Sequence, residues 1–363
     1  MVSEQVMYES SEPGDSNINT ATPEAAVAVP QIDSPAAHPV IDMSFRRAAI
    51  FLPRQTKSVR ITVVGCGGTG SWIAAQVART GRVLIEQGRR VQIMFIDPDR
   101  VSAANVPRSC FCEQEIGELK AVALARRYSG AWALEIGTIT ERFTPEMARA
   151  SSNEDALNVV VGCVDNAAAR GALAEVLARR TPYGYYDYSG SRQTILIDCG
   201  NTRDGGQVLV GTATRPEEMR GSFKGSSICT ELPSPTWQHP ELLEELEEER
   251  PDHNLSCAEL MMRNAQDLMV NHFVASIAGD YLMRLLLTKN LRRYATYFDL
   301  EACSTRNKYI TPDSIARVVN CEPVTLHERQ SPDWADAADD DDVDENYFDE
   351  IDEEEVDEQE AAA

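Results

Sequence analysis

Asp97, Asn105, Arg108, Lys120 and Asp165 are residues whose types and spacing suit one piece of chemistry. Two carry fixed positive charge, one is a neutral donor and two are carboxylates. Such cations and donors offset the charge of a polyphosphate and assist attack at phosphorus. A carboxylate beside them can hold magnesium, which takes one or two carboxylates together with phosphate oxygens. Upstream, Gly65, Gly67, Gly68 and Gly70 form a G-x-G-x-x-G turn with one extra glycine. Glycines there permit a tight turn and let the backbone approach a phosphate at a helix N-terminus. The turn by itself suits a redox dinucleotide as well as ATP, and Asp97 suits the ribose of either. Asn105, Arg108 and Lys120 decide for a triphosphate, because a nicotinamide site has no use for three such groups.

These residues need elements to hold them. Ser58–Gly65 reads as a β-branched strand and Thr69–Gln87 as the helix after the glycine turn. Val91–Asp97, Ala133–Ile139 and Leu157–Asp165 read as further strands, with helical spacing over Ile116–Ser129 and Ala167–Arg180. Asp165 thus falls at the carboxyl end of a strand, where open α/β sheets bind ligands. Its spacing equally suits an N-cap for the helix that follows. Gln193–Gly211 reads as a hairpin turning at Asp204-Gly205-Gly206. A polar segment of about 214–256 comes next, then a long helix over Ala258–Lys289 and a late strand over Ala295–Ala302. The expected fold is α/β, a Rossmann-like, doubly wound, mostly parallel sheet with an added antiparallel hairpin and a crossover loop.

Composition sets the limits. Residues 1–44 lack apolar periodicity and are rich in Pro, Ala, Ser and acid, so disorder is expected there. From Ser331 onward there are 17 Asp and Glu and no Lys or Arg. Such a block repels itself and stays solvated. It carries −17 of the formal −24, leaving −7 for the rest, so a nucleic-acid groove is not expected. One large α/β domain with insertions is expected over 45–330, between these ends. No run of 18 apolar residues and no signal peptide is visible, which gives the expectation of a cytoplasmic protein away from the membrane. The 9 cysteines are odd in number and contain no C-x-x-C pair, so neither a disulfide framework nor a common zinc site is expected.

"GCGGTGS", "DPDRVSAANVPR", "GELK" and "DNAAAR" together resemble the ThiF/MoeB/HesA superfamily of ubiquitin-like-protein-activating enzymes. The longer pattern, with "LIDCGNTRDGGQVLVG" and "NLSCAELMMRNAQDLMVNHFV", is similar to the ThiF-like family of bacterial PRTRC gene clusters. The resemblance implies adenylation of the C-terminal carboxylate of a ubiquitin-like (β-grasp) protein by ATP and Mg2+. It implies capture of the product on a cysteine as a thioester, and passage to a conjugating-enzyme-like acceptor. By the same resemblance Asp97, with Asp99, binds ribose; Asn105, Arg108 and Lys120 hold phosphates; Asp165 holds magnesium. A homodimer is implied too, with an arginine reaching across it, for which Arg46, Arg47 and Arg54 are candidates. The apolar "AAIFLP" (Ala48–Pro53), lacking an obvious partner within the chain, fits such a contact. The family's usual glutamine after the arginine is here Ser109. A non-catalytic binding module and an NAD-dependent oxidoreductase remain the alternatives.

Two cysteines fall in or beside the polar crossover. Cys257 precedes the long helix, where the helix N-terminus lowers a thiol pKa, and is the first candidate for the thioester. Cys229, in what reads as mobile loop sequence, is the second. Cys66, inside the glycine turn, is expected to crowd a nucleotide, and Cys163 and Cys199 read as strand residues.

Overall fold

The computed structural model describes residues 43–148, 156–178, 193–245 and 268–327. Residues 1–42, the acidic tail and Cys257 lie outside these. The strands among the described residues are β1 (Ile50–Phe51), β2 (Ser58–Val64), β3 (Arg90–Ile96), β4 (Ile136–Ile139), β5 (Ala156–Gly162), β6 (Thr194–Asn201), β7 (Gly205–Gly211), β8 (Phe223–Lys224), β9 (Ile228–Cys229), β10 (Arg293–Asp299) and β11 (Ser304–Tyr309). The longer helices are α1 (Gly68–Glu86), α2 (Lys120–Trp132), α3 (Ala167–Val176), α4 (Leu268–Leu286) and α5 (Pro312–Val319).

Eight strands form one sheet in the order β11-β10-β7-β6-β5-β2-β3-β4. From β6 to β4 every pairing is parallel, and from β6 outward to β11 every pairing is antiparallel. The mixed, Rossmann-like sheet expected from the sequence is present, with an antiparallel wing of three strands where a single hairpin was expected. β5 is buried along its whole length, as a central strand with both faces covered should be. Side chains alternate between two apolar layers. Val63, Phe95, Val161 and Ile197 face the layer shared with α1, α2 and α4. Val64, Ile96, Val160 and Leu196 face the smaller layer under α3. Close packing of α1 on α4 depends on Gly279, where a Cβ would sit 3.0 Å from the Gln76 side chain. Among the described residues no helix is long and apolar enough to cross a membrane.

Several boundaries moved for identifiable reasons. Helical structure begins at Lys120 and not at Ile116, because Gly117 adopts φ +90° and closes a turn. β11 has an exposed first half and a polar sequence, so it carried no strand signal, and it is the sheet's edge. "AAIFLP" has its partner inside the chain: β1 pairs in parallel with β9, and Ala49 and Phe51 are fully buried. That segment therefore gives no support to a dimer contact. β9 also pairs with β8, so the described part of the crossover (214–245) is structured. Phe223, Cys229 and Leu232 bury themselves there within a composition that is polar on average.

Candidate active site

The strand order reverses between β2 and β5, and their carboxyl ends open a crevice. A cavity of about 390 Å³ lies there. Val64 and Gly65 enter it from β2, Ile96 and Asp97 from β3, Cys163 to Asp165 from β5, and Cys199 and Asn201 from β6. Of the residues singled out in the sequence, Gly65, Gly67, Gly68, Asp97, Asp99, Asn105, Arg108, Lys120 and Asp165 all line it.

The glycines divide by what a side chain would meet. Gly65 sits at φ +84°, and a Cβ there would lie 2.5 Å from the Cys163 carbonyl oxygen. A Cβ at Gly70 would lie 1.8 Å from the Gly65 carbonyl oxygen, so Gly70 serves helix-to-turn packing and stands outside the lining. At Gly68 it would meet the Asn271 amide at 2.6 Å. At Gly67 nothing lies within 4 Å. Protein packing thus accounts for three of the glycines, and Gly67 alone faces open cavity. α1 begins beside it with no side-chain cap. The first N–H groups of a helix without such a cap form a ready anion site.

Asp97 is buried, and its carboxylate accepts the N–H of Cys66 at 2.6 Å and of Asp99 at 2.8 Å. Burial pushes its pKa up, while these N–H donors and Lys120 act in the opposite direction. It therefore ties the glycine turn to the exit of β3. Lys120 donates to Asp99 at 3.0 Å, with its own side chain largely buried and Asp99 at 66% exposure. An ion pair with so exposed a partner is worth little, so Lys120 can exchange Asp99 for an arriving anion. Asn105 accepts at Oδ1 from the N–H and hydroxyl of Ser102, at 2.9 and 3.0 Å, which leaves its NH2 end for other work. The Ser109 hydroxyl donates to the Asn105 carbonyl, inside the loop. Arg108 and Arg142 reach the cavity without an ion-pair partner among the described residues.

Asp165 is exposed at the cavity edge and accepts from Asn166 Nδ2 at 3.2 Å. The N-cap of α3 is Asn166, whose Oδ1 accepts the Ala169 N–H at 2.8 Å. The capping role offered for Asp165 is thereby corrected: the next residue fills it. Among the described residues no cluster of three or more His, Cys, Asp and Glu could hold a metal. A single carboxylate fits an ion that completes its shell with phosphate and water, which is the habit of magnesium.

The thiols differ from expectation. Cys66 turns into the core and is fully buried, so it crowds nothing in the cavity. Cys229 is likewise fully buried, and its thiol donates to the Glu231 carbonyl at 3.1 Å. Burial raises its pKa far above the ordinary thiol value. It lies in paired β9, not in a mobile loop, and does not line the cavity. Cys163, just after β5, and Cys199, within β6, line the cavity, and the bond to Cys199, then burial, pushes the Cys163 thiol up. Arg46, Arg47 and Arg54 do not line it.

Arg142, Phe143, Asn201 and Asn271 line the cavity and were missed in the sequence. Asn201 ends β6, so the carboxyl-end rule that selected Asp165 would have found it. Asn271 lies within a helical run, inside the quoted "NLSCAELMMRNAQDLMVNHFV", where nothing set it apart from the residues around it.

No curated protein sequence matches the chain. Among solved structures it is similar to PaaA, at 15% identity and TM-score 0.43, over 70% of this chain and 65% of that one. It is similar to E. coli MccB with ATP, at 13% identity and TM-score 0.43, over 70% and 64%. It is also similar to the microcin C7 biosynthetic enzyme MccB in complex with N-formylated MccA, at 13% identity and TM-score 0.45, over 70% and 65%. The chain thus spans just under two thirds of these proteins' lengths. The ThiF family model matches residues 52–312, a span that takes in every strand of the eight-stranded sheet. The chain belongs to the ThiF family.

Proposed function

We propose that the cavity binds ATP with magnesium and transfers AMP to a carboxylate. One observation carries this reading. Lys120, Arg108 and Arg142 line one cavity together with an uncapped helix N-terminus beside Gly67, the glycine with empty space before it. A carboxylate oxygen of the second substrate attacks the α-phosphorus. The α–β phosphoanhydride bond breaks, and pyrophosphate leaves with its electron pair. Lys120 and Arg108 offset the charge that develops, as preorganised cations do in a site poor in water. Asp165 would hold magnesium, and the ion would supply further charge neutralisation.

The finer reading follows the family resemblance. The carboxylate is the C-terminus of a ubiquitin-like β-grasp protein. The Cys257 sulfur attacks the acyl-adenylate carbonyl, AMP leaves, and a thioester forms for delivery to a conjugating-enzyme-like acceptor. The protein works as a homodimer that donates an arginine across its interface, and the compact adenylating region is 45–330.

ATP–pyrophosphate exchange in the presence of a glycine-terminated β-grasp protein tests the reaction. Exchange separates adenylation from a non-catalytic binding module and from an NAD-dependent oxidoreductase, neither of which releases pyrophosphate. Cys257→Ser keeps exchange and loses a thiol-sensitive adduct, and Cys229→Ser keeps both. Nicotinamide reduction without exchange would overturn the proposal.

A further inference from the structure

Asn271 is an oddity of α4. Its buried neighbours on that helix, Val270, Val274, Ala275 and Ala278, are apolar, and Asn271 itself is 1% exposed. A leucine would fill similar volume there without any need for hydrogen bonds. Instead the amide joins three other parts of the cavity wall. Its Oδ1 accepts the Thr69 hydroxyl at 3.1 Å, in the first turn of α1. The same oxygen accepts Nδ2 of Asn201 at 2.7 Å, at the end of β6. Its Nδ2 donates to the Arg108 carbonyl at 3.3 Å. A Cβ at Gly68 would strike the amide at 2.6 Å, so the glycine turn is shaped to admit it.

We propose that Asn271 is a positioning residue for the anion-binding wall. It fixes the Arg108 backbone relative to the helix N-terminus at Gly67 and Gly68, so that guanidinium and N–H groups address the same phosphates. This inference rests on the nucleotide reading above. The chemistry explains why an amide is needed. Only a side chain of this length with a donor and an acceptor can hold a carbonyl on one side and a hydroxyl and an amide on the other. Aspartate keeps the acceptor, loses the donor to Arg108, and adds a negative charge beside the phosphate site.

The test uses the full chain and MgATP as the probe. Calorimetry gives the dissociation constant for wild type, Asn271→Leu, Asn271→Asp, Arg108→Ala and the double variant Asn271→Leu/Arg108→Ala, with melting temperature measured alongside. Each Asn271 variant is expected to weaken MgATP binding about ten-fold, the scale of one lost hydrogen bond near a charged group, and Asn271→Asp more than Asn271→Leu. Because the leucine variant acts through Arg108, its effect should shrink to within about two-fold in the Arg108→Ala background, where a directly independent role would add in full. Should the Asn271 variants fail to fold, Asn201→Ala removes one bond of the same amide from outside α4, and its expected loss is smaller and likewise absent beside Arg108→Ala. A fall in melting temperature with unchanged affinity, or an effect that is fully additive with Arg108→Ala, overturns the proposal and leaves Asn271 a packing residue. Failure of wild type to bind MgATP overturns the nucleotide reading instead.

Discussion

Two polar regions of the molecule are built in opposite ways. Beside β10, His239 stands between Glu241 at 2.7 Å and the Tyr297 hydroxyl at 2.6 Å. Arg306 and Lys308 lie over the Tyr297 ring at 5.3 and 5.9 Å. Burial pushes the Tyr297 hydroxyl up to about 12, and the bond from His239 holds Glu241 below the usual carboxylate range. Each group there is answered by a neighbour. At the carboxyl ends of β2, β3 and β5 the donors are answered less fully, Lys120 only by the exposed Asp99. α1 starts uncapped, Gly67 faces open space, and Arg108 and Arg142 have no ion-pair partner among the described residues. Density of polar side chains does not by itself make a site. Convergence of donors with an exposed partner or none among the described residues does, because a ligand then supplies the charge that the fold withholds.

Substitutions can break or sharpen that contrast. The largest effect is expected at Lys120. Lys120→Ala should lower ATP–pyrophosphate exchange by roughly two orders of magnitude or more, since it removes a preorganised cation. His239→Ala, on the satisfied side, should leave exchange within about two-fold and alter only stability. Equal losses from both would erase the distinction.

A glycine pair gives the next test. Gly70→Ala drives a Cβ into the Gly65 carbonyl, so soluble folded protein should be lost or its melting temperature sharply lowered. Gly67→Ala meets no protein atom, so the fold should persist while MgATP affinity falls. Circular dichroism and calorimetry on the two variants check this order, and retained affinity in Gly67→Ala contradicts it.

Asp165→Asn should act on magnesium alone. α3 is capped by Asn166, so the melting temperature should stay unchanged while the magnesium requirement of exchange rises about ten-fold or more. An unchanged magnesium titration removes Asp165 from the site.

The smallest effect lies just outside the cavity lining, at the buried pair of Asp198 and Arg170, 3.9 Å apart. Burial pushes the Asp198 carboxyl up to about 6, against the pull of Arg170. The folded state thus holds this proton more tightly than the unfolded chain, whose Asp titrates near about 3.9. The resulting stability is present below that value and is lost as pH rises through about 6, a change of order 2–3 kcal/mol. Asp198→Asn should flatten that part of the pH–stability curve between about 4 and 6. MgATP affinity should not move, because Asp198 does not line the cavity.

The parallel half of the fold was legible because its signals are local. β2, β3 and β5 are apolar and rich in β-branched residues, and the glycine turn and the residues from Asp97 to Lys120 follow each other in sequence. The parts that were not legible depend on distant partners. β1 is two residues long and exists because Ile228 and Cys229 lie beside it. β11 is a polar edge that pairs along one side only. Asn271 looks like any polar residue on a helix until Thr69, Asn201 and Arg108 are placed around it. Cys229 misled for the same reason, since a polar window hid the strand that buries it.

The central claim is that this wall of converging donors takes a triphosphate, and titration calorimetry with MgATP and with NAD tests it most directly. The account predicts MgATP binding that is lost in Lys120→Ala, with NAD binding far weaker or undetectable. Tight NAD binding without MgATP binding would contradict it.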